Sequence, residues 1–208
     1  MIPLETLISF FAASALLALV PGPDNIFVLT QSALQGRRAG IVVMLGLCTG
    51  LIFHSTAVAL GVAVIFQTSA LAFSILKYLG AAYLAYLAWG AFRAKDQTVG
   101  KGKAAGVNLV RLYRRGIIMN VTNPKVSIFF LAFLPQFADP ARGPVSVQML
   151  MLGGLFILST FIVFGGFALL AGSIGQWLNG SPRAQTLMNK GAAFVFLGLA
   201  LKLATSEQ

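Results

Sequence analysis

The stretch Pro21-Gly22-Pro23-Asp24-Asn25 interrupts an otherwise apolar segment, and Asn123-Pro124-Lys125 interrupts a second one in the other half of the chain. Lipid offers no partner to a freed backbone amide or to a charge, so such breaks persist only where they face protein or a watery cavity. Breaks at matching positions in two halves are typical of the substrate site of a secondary transporter. All eight residues are therefore candidate binding residues.

The composition also predicts a membrane protein. Of 208 residues, 58% are hydrophobic and 10% are charged, whereas soluble domains carry about 25% charge. Six apolar stretches approach or exceed the roughly 20 residues that cross a bilayer. They are residues 4–33, 39–66, 71–92, 116–137, 145–174 and 188–204. The sequence therefore predicts an all-α membrane protein with six transmembrane helices, of which the first and fourth are broken. The apolar N-terminal segment lacks the features of a cleaved signal peptide, so the first span is expected to remain in the mature protein.

The basic residues fall mainly on one side of these spans. Of 15 Lys and Arg residues, eleven lie in or beside the loops that follow spans one, three and five. These are Arg37, Arg38, Arg93, Lys95, Lys101, Lys103, Arg111, Arg114, Arg115, Arg183 and Lys190. Such loops stay cytoplasmic, so both termini are predicted outside. The net charge of +10 is explained by this asymmetry and by lipid headgroups, and no nucleic-acid partner is expected.

The two breaks also suggest an internal repeat. Aligning Ile26-Phe27-Val28-Leu29 with Ile128-Phe129-Phe130-Leu131 superposes them and gives three spans in each half. An odd number of spans forces the two halves into opposite orientations. We therefore predict a first three-helix repeat at 1–92, a basic cytoplasmic loop at 93–115 and an inverted second repeat at 116–208.

The chemistry of the breaks suits a zwitterion. Asn123-Pro124 is typical of an N-cap followed by proline at the first helical position, and the N-terminus of the half-helix after it attracts a carboxylate. Asp24 could bind the ammonium group of the substrate, or accept the driving proton. By helix rise, Asp24 and Lys125 also reach a similar depth. Two alternatives stay open: the prolines only kink packed helices, and the two charges form a structural ion pair.

Three ionisable residues are candidates for a proton relay, namely Asp24, His54 and Lys77. An intramembrane histidine titrates in a useful range, but a neutral imidazole bonded across a helix interface is the alternative that we favour. Lys77 could instead extend towards the membrane surface. Small residues at Gly46, Gly50, Ala57 and Gly61 predict that one face of span two packs against another helix.

Other chemistries lack the residues they need. The single Cys48 excludes an internal disulfide, no cluster has metal-ligand spacing, and there is no phosphate-binding P-loop. We therefore expect no cofactor and no metal. An enzyme is not expected either, because Asp24, His54, Lys77 and Lys125 are the only ionisable groups available in the membrane.

Several motifs occur together along the chain. They are Pro-Gly-Pro-Asp-Asn at 21–25, Gly46-x3-Gly50-x3-His54, Lys77-Tyr78-Leu79-Gly80-Ala81-Ala82-Tyr83-Leu84, Thr122-Asn123-Pro124-Lys125 and Leu134-Pro135-Gln136-Phe137. In these the chain resembles the LysE/RhtB family of bacterial amino-acid exporters over nearly its whole length.

The resemblance implies a six-span protein of the bacterial cytoplasmic membrane that expels amino acids or close derivatives, in exchange for protons. Its partners would be an amino-acid substrate and membrane lipid. Alternatives are an exporter of a metal ion or other small solute, and a non-transporting membrane subunit that assembles through its glycine faces. A homo-oligomer is left open.

Overall fold

The computed structural model describes residues 2–62, 70–94 and 108–205, and within these every regular element is helical. Two helices form the first apolar segment on either side of its break, and two more form the fourth. The elements are α1 (Leu4–Leu19), α2 (Pro23–Gln35), α3 (Arg37–Ala57, continued by a π-helical turn Val58–Val62), α4 (Ala70–Phe92), α5 (Leu109–Val121), α6 (Pro124–Ile128, continued by a π-helical turn Phe129–Phe133 and a 3₁₀ turn Leu134–Phe137), a 3₁₀ turn Pro140–Arg142, α7 (Val145–Gly180) and α8 (Pro182–Thr205).

Within the described residues, four helices are long and apolar enough to cross a membrane. Two bent helix pairs raise that number to as many as six if each pair forms one span. The axes of α1 and α2 differ by 59°, and those of α5 and the segment 124–137 differ by 48°. The prediction of an all-helical membrane protein with breaks in its first and fourth apolar segments is confirmed. The helix α5 begins at Leu109, so the last part of the predicted loop 93–115 is helical, and residues 95–107 lie outside the described part of the chain.

Glycines bring α3 into close contact with α5. A Cβ atom on Gly46 would overlap the carbonyl oxygen of Tyr113, and one on Gly50 would lie 2.8 Å from the Asn120 side chain. The predicted small-residue face is therefore confirmed at these two positions. It is wrong at Ala57 and Gly61, which are exposed, because α3 extends past the end of the α5 surface that it packs on.

A cluster of phenylalanines fixes the second half of span four. Phe129, Phe130 and Phe133 are fully buried, and the ring of Phe129 lies 6.2 Å from that of Phe10 and 5.2 Å from that of Phe156, measured between centroids. Aromatic pairs at such separations stabilise a core beyond their buried area. The cluster joins α6 to α1 and α7, and it thereby holds the two breaks close together.

The helices α4 and α8 pack along each other; α4 also contacts the segment after the second break, and α8 also contacts α1 and α7. A Cβ atom on Gly80 of α4 would lie 3.2 Å from the Leu203 side chain of α8. This helix pair forms the wall that faces the two breaks.

Candidate functional site

The break in span one follows from its two prolines. Pro21 has no N–H to donate to the carbonyl of Leu17, four residues earlier, so α1 cannot continue through it. Asn25 closes the gap: its Nδ2 donates to the carbonyls of Ala18 and Val20, at 3.1 and 2.7 Å, and its Oδ1 accepts from Gly22 N at 2.7 Å. The asparagine side chain thus serves two carbonyls at the end of α1 where the helix breaks.

The break in span four is closed by its own N-cap. The Oδ1 of Asn123 accepts a hydrogen bond from Lys125 N at 3.0 Å, and its carbonyl accepts from Val126 N and Ser127 N. Pro124 occupies the first helical position, where a missing N–H costs nothing. The predicted N-cap and proline start are therefore confirmed. These bonds also occupy the first N–H groups of α6, which the sequence had suggested for a substrate carboxylate.

Lys125 reaches across to the other half of the chain. Its Nζ donates to the carbonyl oxygens of Leu17 and Val20, both at 3.1 Å. A cation at a helix C-terminus interacts favourably with the helix dipole, so this ammonium group caps α1 from outside. Gly22 allows the approach, because a Cβ atom there would lie 3.3 Å from Nζ.

Both breaks line one cavity of about 560 Å³. The lining comes from the two breaks, from α4 and from α8: Pro21, Gly22, Pro23, Ile26, Tyr83, Tyr86, Leu87, Gly90, Ala91, Ala94, Asn123, Pro124, Lys125, Met188, Asn189, Ala192 and Phe196. Ala94 is exposed, so the cavity reaches the surface at the C-terminal end of α4. The two breaks, far apart in sequence, therefore meet in one place.

Asp24 lies behind this cavity and does not line it. It is buried, and its Oδ2 accepts a hydrogen bond from Asn120 Nδ2 at 2.9 Å. Asp24 and Lys125 do not form a salt bridge; in the described part of the chain the salt bridge found is the surface pair Arg142–Asp139. The direct ion pair that the sequence left as an alternative is therefore not formed, because Lys125 turns towards the end of α1.

Asp24 and Lys125 instead share a second, much smaller cavity of about 20 Å³. Asn120 of α5 and Thr160 of α7 also line it, together with apolar side chains. Lys125 is the break residue that lines both cavities, so its side chain stands between them.

Comparison with known proteins identifies the family. A family model described as LysE type translocator matches residues 15–207. The chain belongs to this family. A homoserine/homoserine lactone efflux protein of Salmonella typhimurium is 38% identical over 199 residues, which cover 93% of this chain and 94% of that protein.

More distant relatives of this LysE-type translocator cover the chain equally well. A leucine efflux protein of Salmonella choleraesuis is 29% identical, over 96% of this chain and 94% of the relative. An uncharacterized membrane protein of Vibrio cholerae is 30% identical, over 96% of this chain and 97% of the relative. No solved structure gives a significant match.

The two other relay candidates in the translocator occupy different places. His54 is buried, and its Nε2 lies 3.1 Å from the carbonyl oxygen of Asn120, so the imidazole is bonded across the interface between α3 and α5. Because the side chain of Asn120 also donates to Asp24, Asn120 links His54 to that carboxyl group. Lys77 is buried on α4, with its Nζ 4.8 Å from the centroid of the Tyr78 ring, and it lines neither cavity.

Two polar residues that line the small cavity, Asn120 and Thr160, were not singled out from the sequence. Both are buried and lie in apolar helices. A polar side chain inside a membrane span is a signal in itself, and Asn120 stands just before the Asn123 break. For Thr160 the signal is weak, because a threonine can satisfy its hydroxyl within its own helix.

Proposed function

We propose that this LysE-type translocator is a secondary transporter that exports neutral amino acids or close derivatives across the bacterial cytoplasmic membrane. The supporting observation is the convergence of both helix breaks on one cavity of about 560 Å³. Small-molecule sites have volumes of about 300–1,000 Å³. The named relatives are efflux proteins for homoserine, homoserine lactone and leucine.

The charge of the cavity favours a substrate of this kind over a metal ion. Among the described lining residues, Lys125 carries the formal charge and no carboxylate is present. An ammonium group attracts a substrate carboxylate, whereas a metal cation or a basic amino acid would bring a second positive charge with no compensating anion. Tyr83 and Tyr86 offer aromatic faces to the substrate ammonium group.

The candidate residues divide into separate roles. Pro21, Gly22, Pro23 and the run Asn123-Pro124-Lys125 line the cavity and contact the substrate. Asn25 lines neither cavity and holds the first break in shape. Asp24 exchanges the driving proton and does not bind the substrate ammonium group, since it lies outside the large cavity. His54 acts on Asp24 through Asn120, and a relay role for Lys77 stays a prediction.

Helix packing supports the inverted repeat. The second span, α3, packs on α5, the first half of span four, while α7, the second span of the other half, packs on α1, the first half of span one. The third spans, α4 and α8, pack on each other. Each of these contacts has its counterpart when the two halves are exchanged, as an inverted repeat requires.

Packing also supports the proposed orientation. Gly46 of α3 meets Tyr113 of α5 and Gly50 meets Asn120, so the two helices run parallel and both begin at the end that carries Arg37 and Arg111. With these basic residues in the cytoplasm, both termini lie outside and the cavity faces inwards.

Efflux from preloaded cells tests the function. Cells that overproduce the protein are loaded with labelled homoserine, leucine, threonine or lysine, one at a time, and the rate of release is compared with that of cells lacking it. We expect faster release of at least one neutral amino acid and none of lysine. Lys125→Met should abolish the gain, and Lys190→Met, at an exposed position, is the matched control. If the protein reaches the membrane and accelerates the efflux of none of the neutral amino acids, the proposal fails.

A further inference from the structure

The smaller cavity has unsatisfied polar atoms around it. Six buried side-chain oxygens in the described residues have no hydrogen-bond partner, and three of them belong to residues that line this cavity of about 20 Å³: Asp24 Oδ1, Asn120 Oδ1 and Thr160 Oγ1. The three residues are 6%, 1% and 3% exposed. A buried polar group without a partner destabilises the fold, so three of them on residues that line one cavity point to a polar ligand there.

The volume and the chemistry suit one water molecule. A cavity needs roughly 10–15 Å³ to hold a water, and buried waters typically make about three hydrogen bonds. The Nδ2 group of Asn120 donates to Asp24, and its Oδ1 is a hydrogen-bond acceptor. A water can donate to Asp24 Oδ1 and to Asn120 Oδ1 while accepting from the Thr160 hydroxyl, which satisfies all three groups.

A metal cation fits less well. Hard cations such as Mg²⁺ and Ca²⁺ take about six or more oxygen ligands, and this cavity offers three unpaired side-chain oxygens among apolar side chains. Lys125 lines the same cavity, and its ammonium group would repel a second cation. A neutral ligand avoids both difficulties.

We propose that the small cavity binds a single water that links Asp24 to Thr160, and that Thr160 is thereby a positioning residue for the carboxyl group that exchanges the proton. The effect on transport rests on the proposed function, whereas the water site does not. The groups around Asp24 are Asn120 from α5, Asn123 at the second break, Lys125 from α6, Thr160 from α7 and, through Asn120, His54 from α3. Of these, Thr160 reaches Asp24 only through the water.

Three variants separate the roles. Thr160→Val keeps the shape and removes the hydroxyl, Thr160→Ser keeps the hydroxyl, and Ser159→Ala removes a neighbouring buried hydroxyl that does not line the cavity. Proton-driven amino-acid exchange is measured in proteoliposomes across a pH series. We expect Thr160→Val to slow exchange several-fold and to move the pH profile upwards, because a carboxylate that loses a hydrogen bond is less favoured in its ionised form. Thr160→Ser should restore the wild-type profile, and Ser159→Ala should not change it. An unchanged profile in Thr160→Val overturns the positioning role.

The water itself is tested without transport. An experimental structure at a resolution that shows waters should contain one within hydrogen-bond distance of all three oxygens, and the Thr160→Val structure should lack it. The thermal unfolding temperature of the purified protein should be equal in sodium chloride and choline chloride. A rise in unfolding temperature that is specific to sodium would show that the cavity binds a cation and not a water. A structure in which side chains fill the cavity and no water is present would refute the site. Absence of export by the wild-type protein would refute the proposed function and leave these two measurements to decide the water site.

Discussion

Lys125→Met tests the hydrogen bonds that Lys125, in the second half of the chain, donates to the C-terminal end of α1, in the first half. The substitution keeps the length of the side chain and removes its ammonium group. Val20 O keeps a second donor, Asn25 Nδ2, but Leu17 O loses the hydrogen bond from Nζ. Pro21 cannot replace that bond, because it has no N–H.

The expected cost follows from these partners. An unsatisfied buried carbonyl costs about 1–3 kcal/mol, and loss of a cation from a helix C-terminus adds about 0.3–2 kcal/mol. We therefore expect Lys125→Met to lower the free energy of unfolding by about 1–5 kcal/mol, measured by denaturant titration in detergent.

A second substitution tests the mechanism of this effect. Pro21→Ala restores an N–H four residues after Leu17, so α1 can make its own hydrogen bond to that carbonyl. The double variant with Lys125→Met should recover much of the stability and remain inactive in export, since the cavity still lacks its charge. Strictly additive costs of the two substitutions would show that Lys125 and Pro21 do not act on the same carbonyl, and the capping argument would be wrong.

Three further predictions use simpler changes. Asp24→Asn keeps the size of the side chain and its hydrogen bond with Asn120, so it should abolish export while the amount of protein in the membrane, measured by immunoblot, stays unchanged; retained export would exclude a proton role. Gly46→Ala should destabilise the protein by about 1–3 kcal/mol through overpacking against α5, whereas Gly61→Ala, with nothing within 4 Å of the new Cβ atom, should be neutral in the same thermal unfolding assay. Reporter fusions at residue 100 should be cytoplasmic and those at Arg142 external, and export of the first would reverse the orientation.

The sequence predicted the breaks because proline leaves a chemical signature that tertiary contacts do not alter. Pro21, Pro23 and Pro124 each remove a backbone donor whatever surrounds them, and Asn123 before a proline is a local N-cap signal. The large cavity was predictable in the same way, as the meeting point of two breaks. The packing of Gly46 and Gly50 followed from spacing, but the end of that face did not, because it depends on where α5 stops.

The role of Lys125 was not predictable from charge alone. Two opposite charges at similar depth suggest an ion pair, yet a lysine in the membrane also competes for any carbonyl that lacks a donor. Pro21 creates such a carbonyl at Leu17, and Lys125 Nζ lies 3.1 Å from it. Counting the carbonyls that the break at Pro21–Pro23 leaves without backbone donors, and then the side chains that could serve them, would have made Lys125 and Asn25 the leading candidates. Which carbonyl each of these two side chains reaches depends on how the two halves of the chain pack. That packing is set by the phenylalanine cluster around Phe129 and not by the residues of the breaks.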